Sequence, residues 1–247
     1  MYSIRKKRTT GLPVHRVVVL APFAQFLEDI GAPVEKGFRK TRLPLGALKD
    51  MDNYVPSTWY WKFLILMSRA EGIMDLGFRV GEQFGARCGD PCMTELLNAA
   101  PTLYQGLIKA MNRINHSVTN CRMGILQPPN RGCAYFYHSP SCTVDNPAIE
   151  QLSWFGLCGL LGMVRVFTGP QWQPAEIGLI EDNIPNHYIQ EHFPNTRFRL
   201  SQPFHYMTVE DDALSLPPFA VESALPTPSA FGYQPLPGDF RDTLEAI

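Results

Sequence analysis

The chain has no excess of either charge: 22 Lys and Arg stand against 23 Asp and Glu in 247 residues. A protein that grips nucleic acid across its surface needs a basic face, so this balance argues against that class. The six cysteines are too few for a disulfide scaffold and read as reduced thiols of a cytoplasmic protein. No uncharged apolar run is long enough to cross a membrane. The longest, Gln151–Val164, is short and contains three glycines, so it reads as a buried helix. A glycine-rich phosphate loop is lacking, because Gly156-Leu157-Cys158-Gly159 lies inside that helical run with no preceding strand. Ser139, Ser141 and Ser153 lack the flanking glycines of a nucleophile elbow. Cys88 and Cys92 are four apart without a nearby histidine to complete a zinc site. The six histidines are scattered, and His187 and His192, five apart, do not share a helix face. Cys142 and His138 are separated by a Ser-Pro-Ser turn. The expectation is no cofactor, no resident metal and no catalytic residue, hence not an enzyme.

What is there is the material of a globular core. Hydrophobic residues make up 45% and charged residues 18%, the proportions of a folded soluble protein. Arg5, Lys6, Lys7 and Arg8 precede the apolar run Val17–Leu27 and mimic a signal peptide. Gln25 interrupts the run and no small-x-small cleavage site follows, so residues 1–16 read as a basic flexible tail before a first helix.

Helical spacing dominates the first 115 residues. Phe23, Phe26, Leu27 and Ile30 share one face, and Gly31 with Pro33 stops that helix. Residues 31–56 are rich in Gly, Pro and basic side chains, with at most a short helix at Leu45–Leu48. Ser57 and Thr58 offer caps for a helix over Trp59–Ala70 that is apolar almost all round and therefore buried. Leu76–Phe84, Met93–Leu97 and a stripe of Leu103, Leu107, Ile108 and Met111 behind Pro101 follow. Two strands with a hairpin loop then read at Ser117–Leu126 and Gly132–His138, and helix returns over 147–168. A strand at Glu176–Ile180, a short helix at Pro185–His192 and a final pair of strands at Arg197–Leu200 and His205–Val209 complete the pattern. Helices first and strands later predict α+β: a helical N-terminal half packed with a small antiparallel sheet and further helices. The expected globular domain is 17–216. Residues 217–247 carry six prolines within 21 residues, a linker composition, and 210–247 carries seven acids against Arg241 alone.

Aromatic and arginine side chains are the candidate binding material. Tyr135 and Tyr137 fall on one face of a strand, and Trp61 and Trp172 sit at long apolar helices. Arg42, Arg69 and Arg165 each adjoin an apolar helix, where a charge needs a partner, either an internal acid or a ligand carboxylate. An apolar pocket with one or two arginines would suit an aromatic or aliphatic acid, a fatty acid for example.

Many short stretches together carry a resemblance. They are Gly31-Ala32-Pro33, Thr41-Arg42-Leu43-Pro44, Asn53-Tyr54-Val55-Pro56, Arg69-Ala70-Glu71-Gly72-Ile73 and Asp75-Leu76-Gly77, with Pro101-Thr102-Leu103-Tyr104, Val164-Arg165, Gly169 and Trp172-Gln173-Pro174. Over roughly residues 17–219 the chain resembles the N-terminal effector domain, of the arabinose-binding-like kind, of AraC-type bacterial transcription regulators. The resemblance implies a cytoplasmic sensor for a small-molecule effector, a homodimer, and DNA binding only through a C-terminal pair of helix-turn-helix motifs. No such pair follows Pro217, so 217–247 reads as the linker to it. The run Gly72–Gly85 echoes a helix-turn-helix without a basic recognition helix. The β-barrel of the sugar-sensing members is not expected, since the strands are too few. A dimerisation module without a ligand, a haem or metal sensor, and an unrecognised Cys/His enzyme are the alternatives.

Overall fold

The computed structural model describes residues 13–85, 92–119, 121–128, 132–140 (backbone only at 138–140), 147–183 and 185–219. The helices are α1 (Val17–Asp29), α2 (Val34–Thr41), α3 (Ser57–Ala70), α4 (Leu76–Phe84), α5 (Cys92–Asn98), α6 (Leu103–Ser117), α7 (Ala148–Thr168) and α8 (His187–His192). The strands are β1 (Val14–Arg16), β2 (Tyr54–Pro56), β3 (Cys121–Leu126), β4 (Cys133–Pro140), β5 (Glu176–Gly178), β6 (Arg197–Arg199) and β7 (His205–Glu210). The fold class is α+β. The tail residues 1–12, Cys88, Cys142 and the linker beyond Phe219 lie outside the described residues.

Two apolar cores form, and α4 and α7 are the wall between them. Phe23, Phe38, Tyr60 and Phe63 fill the first, joined by Leu76 and Val80 of α4 and Phe155 of α7. The second takes Phe78 of α4, Trp154 and Leu157 of α7, Leu103, Leu107 and Met111 of α6, and the inner face of a five-stranded sheet. Helix α7 is long and apolar enough to cross a membrane, yet 72% of its apolar window is buried in the fold, as a core helix is.

The segment expected as a flexible tail is ordered at its end. β1 pairs antiparallel with β2, matching Val14 to Pro56 and Arg16 to Tyr54. Arg16 is fully buried and ion-paired with Asp52, and His15 is buried beside it. The His15 Nδ1 lies 2.8 Å from the Ser57 hydroxyl, and its ring meets Tyr60 edge-on. Ser57 was expected as a helix cap; it is instead the polar partner of this histidine, and α3 has no side-chain cap. Short-range reading missed α2, whose Val34, Gly37, Phe38 and Thr41 all face inward in a stretch that looked like loop.

Burial pushes the His15 imidazole down to about 3. An unfolded chain takes up that proton below about pH 6.5, whereas the native state refuses it until the folded value is reached. Stability is therefore present at neutral pH and lost as pH falls from about 6.5 toward 3. At pH 5 the expected loss is about 2 kcal/mol, measured as the difference in urea unfolding between pH 7.5 and 5. A His15→Asn variant is expected to flatten that difference.

The larger sheet runs β3-β4-β7-β5-β6. β3 and β4 form the expected hairpin, with Gly124 opposite Tyr137 and Leu126 opposite Tyr135. The last two strands do not pair with each other. β7 inserts between β4 and β5, antiparallel to both, and β6 lies at the far edge parallel to β5. The parallel pair requires a crossover, which α8 supplies. The sheet is thus mixed rather than purely antiparallel.

Candidate functional site

The site grows from the crossing of α4 and α7. Gly77 and Gly81 are one turn apart and present bare backbone to α7. The Gly77 N–H donates to the Gln151 Oε1 at 2.7 Å, and the Gln151 Nε2 donates to the Met74 carbonyl at 2.7 Å. This clamp sets the two helices close together. Cys158, one helical face further along, points its thiol at the Phe78 carbonyl.

Beyond the close approach the helices diverge, and α8 closes the gap. Asn186 caps α8 by accepting from the Ile189 N–H, and the helix then delivers Tyr188 and His192 to the same face. The result is a cleft of about 90 Å³ lined by Phe78, Gly81, Glu82, Cys158, Leu161, Arg165, His192 and Phe193. Phe78 lies edge-on to Trp154, His192 and Phe193, so one wall is aromatic.

The polar wall holds Glu82, His192 and Arg165. His192 Nδ1–H donates to the Tyr188 carbonyl at 2.8 Å, and its Nε2 lies 2.7 Å from Glu82 Oε1. The Tyr188 hydroxyl donates to the other Glu82 oxygen at 3.1 Å. Glu82 is therefore engaged twice within the protein. Arg165 is not matched to an acid: its Nε–H donates to the Trp172 carbonyl at 2.9 Å, and no described carboxylate pairs with it. Burial pulls the Arg165 guanidinium below its usual value, and the nearby Cys158 and Glu82 offset only part of that. The N–H groups of a half-buried guanidinium can donate to a carboxylate or phosphate oxygen. Among the described residues no three metal-binding side chains converge.

The seven residues singled out in the sequence divide among three places. Arg165 lines this cleft, whereas Trp172 does not: it contributes its main-chain carbonyl to Arg165 while its side chain packs against the second core. Tyr135 and Tyr137 stand on the sheet face away from the helices, against Tyr206 and Phe204 respectively. Arg42, Trp61 and Arg69 belong to the other lobe. Arg42 ends α2 in left-handed conformation with its side chain in solvent, and Arg69 rims a shallow furrow on α3 with Lys62, Ile65 and Leu66. Neither needs a buried partner, because each adjoins an apolar helix on its wet side. Trp61 packs against the first core with its indole N–H buried and unmatched. Sequence reading missed Phe78, Glu82 and Tyr188, whose roles depend on α8 folding back over α4. The faint signal was Tyr188 and His192 standing four apart.

No protein-family model matches the chain, and no curated protein matches it. Among solved structures it is similar to the transcriptional regulator CdpR from Pseudomonas aeruginosa, at a TM-score of 0.56 and 13% identity. The similarity covers 80% of this chain and 56% of that one, so the match takes in little more than half of the regulator. At this identity the likeness is one of fold alone: the chain shares its architecture with part of that protein.

Proposed function

We propose that the chain is the effector-sensing and dimerising part of a cytoplasmic AraC-type transcription regulator, and that a compact anionic molecule binding at Arg165 controls DNA binding by a separate C-terminal domain. The observation that carries the reading is the half-buried Arg165, held by a backbone carbonyl and facing a cleft with an aromatic wall. The regulator fold and the acidic, proline-rich segment after Pro217 support it. About 90 Å³ is room for a small carboxylate or a phosphate group; a long acyl chain does not fit inside it.

The test is a thermal-shift screen of the purified chain against benzoate, short aliphatic mono- and dicarboxylates, and inorganic phosphate. A ligand at a hundredfold excess over its Kd is expected to stabilise by about 2.7 kcal/mol, a rise of about 5–11 °C. Native mass spectrometry of the same sample reads the oligomeric state. A dimer that no acid shifts overturns the sensing reading and leaves a dimerisation module without a ligand.

A further inference from the structure

The cleft between α4, α7 and α8 holds two opposite charges that do not meet. Arg165 of α7 and Glu82 of α4 both line it, and no ion pair joins them. Each is held by partners that leave part of it open. The Arg165 Nε–H is engaged by the Trp172 carbonyl at 2.9 Å, while its other N–H groups have no partner among the described residues. Glu82 is anchored to α8 through one contact at each oxygen, the Tyr188 hydroxyl and the His192 Nε2. A carboxylate offers about four lone-pair sites, so each Glu82 oxygen keeps one to give.

The surroundings preserve that arrangement. Arg79, one turn before Glu82 on α4, is committed elsewhere: its Nε–H donates to Asp75 at 2.8 Å, and its guanidinium carbon lies 4.2 Å from the centre of the Tyr188 ring. Gly81, Gly85 and Gly162 line the cleft without side chains and leave room beside the charges, and Phe78 and Phe193 supply an apolar wall. The Glu82 side chain is 42% exposed, so the cleft is open to solvent on that side. A ligand that is only anionic brings a second negative charge toward Glu82, and like charges at short range cost free energy. A ligand with an ammonium beside its carboxylate meets an opposite charge at both ends.

We infer that the cleft takes a small amino acid, with its carboxylate on Arg165 and its ammonium on Glu82. The inference rests on the carboxylate site at Arg165 proposed above and adds the group that selects among acids. A guanidinium presents its N–H donors in a planar fork that matches a carboxylate, and a carboxylate accepts an ammonium through charge-assisted hydrogen bonds. Both protein groups are fixed before the ligand arrives, Glu82 by α8 and Arg165 by the turn at Trp172, so little ordering cost falls on binding. The methylene groups that join the ligand's two charges lie against the apolar wall. A volume of about 90 Å³ restricts the ligand to a few carbons and excludes amino acids with bulky side chains.

The test titrates the full chain by ligand-observed NMR with glycine, β-alanine and 4-aminobutyrate. Each is compared with the acid of the same carbon skeleton that lacks the amino group: acetate, propionate and butyrate. The series varies the spacing of the two charges, and each pair differs by one ammonium. The expected result is that at least one amino acid binds about tenfold tighter than its partner acid, as a charge-assisted hydrogen bond gives. Glu82→Gln is expected to abolish that advantage while the plain acid gains affinity severalfold, its repulsion from Glu82 removed. Circular dichroism reports whether the variant folds, and the paired comparison on the unaltered chain decides the question without it. Plain acids that bind as tightly as their amino partners overturn the inference and leave the carboxylate site standing. An advantage that survives in folded Glu82→Gln overturns it too, because the ammonium then lies elsewhere. Binding of neither series overturns the inference, and the screen with benzoate then decides separately whether the carboxylate site stands.

Discussion

Gly77→Ala is expected to destabilise the protein by about 3 kcal/mol or more, at the upper end of overpacking costs. The new methyl would collide with the main chain of Gln151, whose Cα lies 2.6 Å from its position. A flexible side chain could swing away; the backbone of a 21-residue buried helix cannot. Separating the helices would also break both bonds of the Gln151 amide to α4 and its entry turn. Buried amide groups left without partners add to the loss. Thermal unfolding should show a fall of about 6–12 °C. Gly46→Ala is the control, because its nearest neighbour would be the Lys49 side chain at 3.9 Å. An equal, small effect at both positions would show that α4 and α7 are not held at this distance in solution.

Arg165→Gln is expected to weaken binding of a carboxylate found in the screen by about 10–100-fold, the value of a charge-assisted hydrogen bond. Its effect on stability should be small. Burial already disfavours the Arg165 charge, so losing it relieves a cost while the bond to the Trp172 carbonyl is lost. These two readouts separate a binding role from a structural one. Calorimetric titration measures the first and urea unfolding the second. Unfolding of the variant without loss of affinity for the acid would assign Arg165 to structure, as the anchor of the turn at Trp172.

The helical half was legible because its signals are local. Val17–Asp29, Leu76–Phe84 and Leu103–Ser117 fall where the 3.6-residue spacing put them. The hairpin of β3 and β4 was legible from two strand-like runs around a Pro-Pro-Asn loop. Helix α2 was not, since its inward stripe is only four residues long and lies among basic residues and glycine. Of the residues singled out in the sequence, Arg165 lines the candidate cleft, and Trp172, seven residues on, supplies its backbone carbonyl partner. Their neighbours were missed because Glu82 and His192 are distant in sequence and meet only through α8.

By itself the sequence determined the α+β class, the burial of α7 and the hairpin, along with the contrast between a balanced domain and an acidic, proline-rich end. Each of these follows from composition or from periodicity within one element. Only tertiary structure decided three further things. β7 sits at the centre of the sheet rather than beside β6, because strand pairing joins residues some 70 positions apart (Tyr137 with Tyr206). Gly77 and Gly81 are a helix crossing, a fact set by the partner helix and not by their own spacing. Arg165 has a carbonyl rather than an acid as its partner, and that choice rests on which backbone the turn after α7 brings back to it.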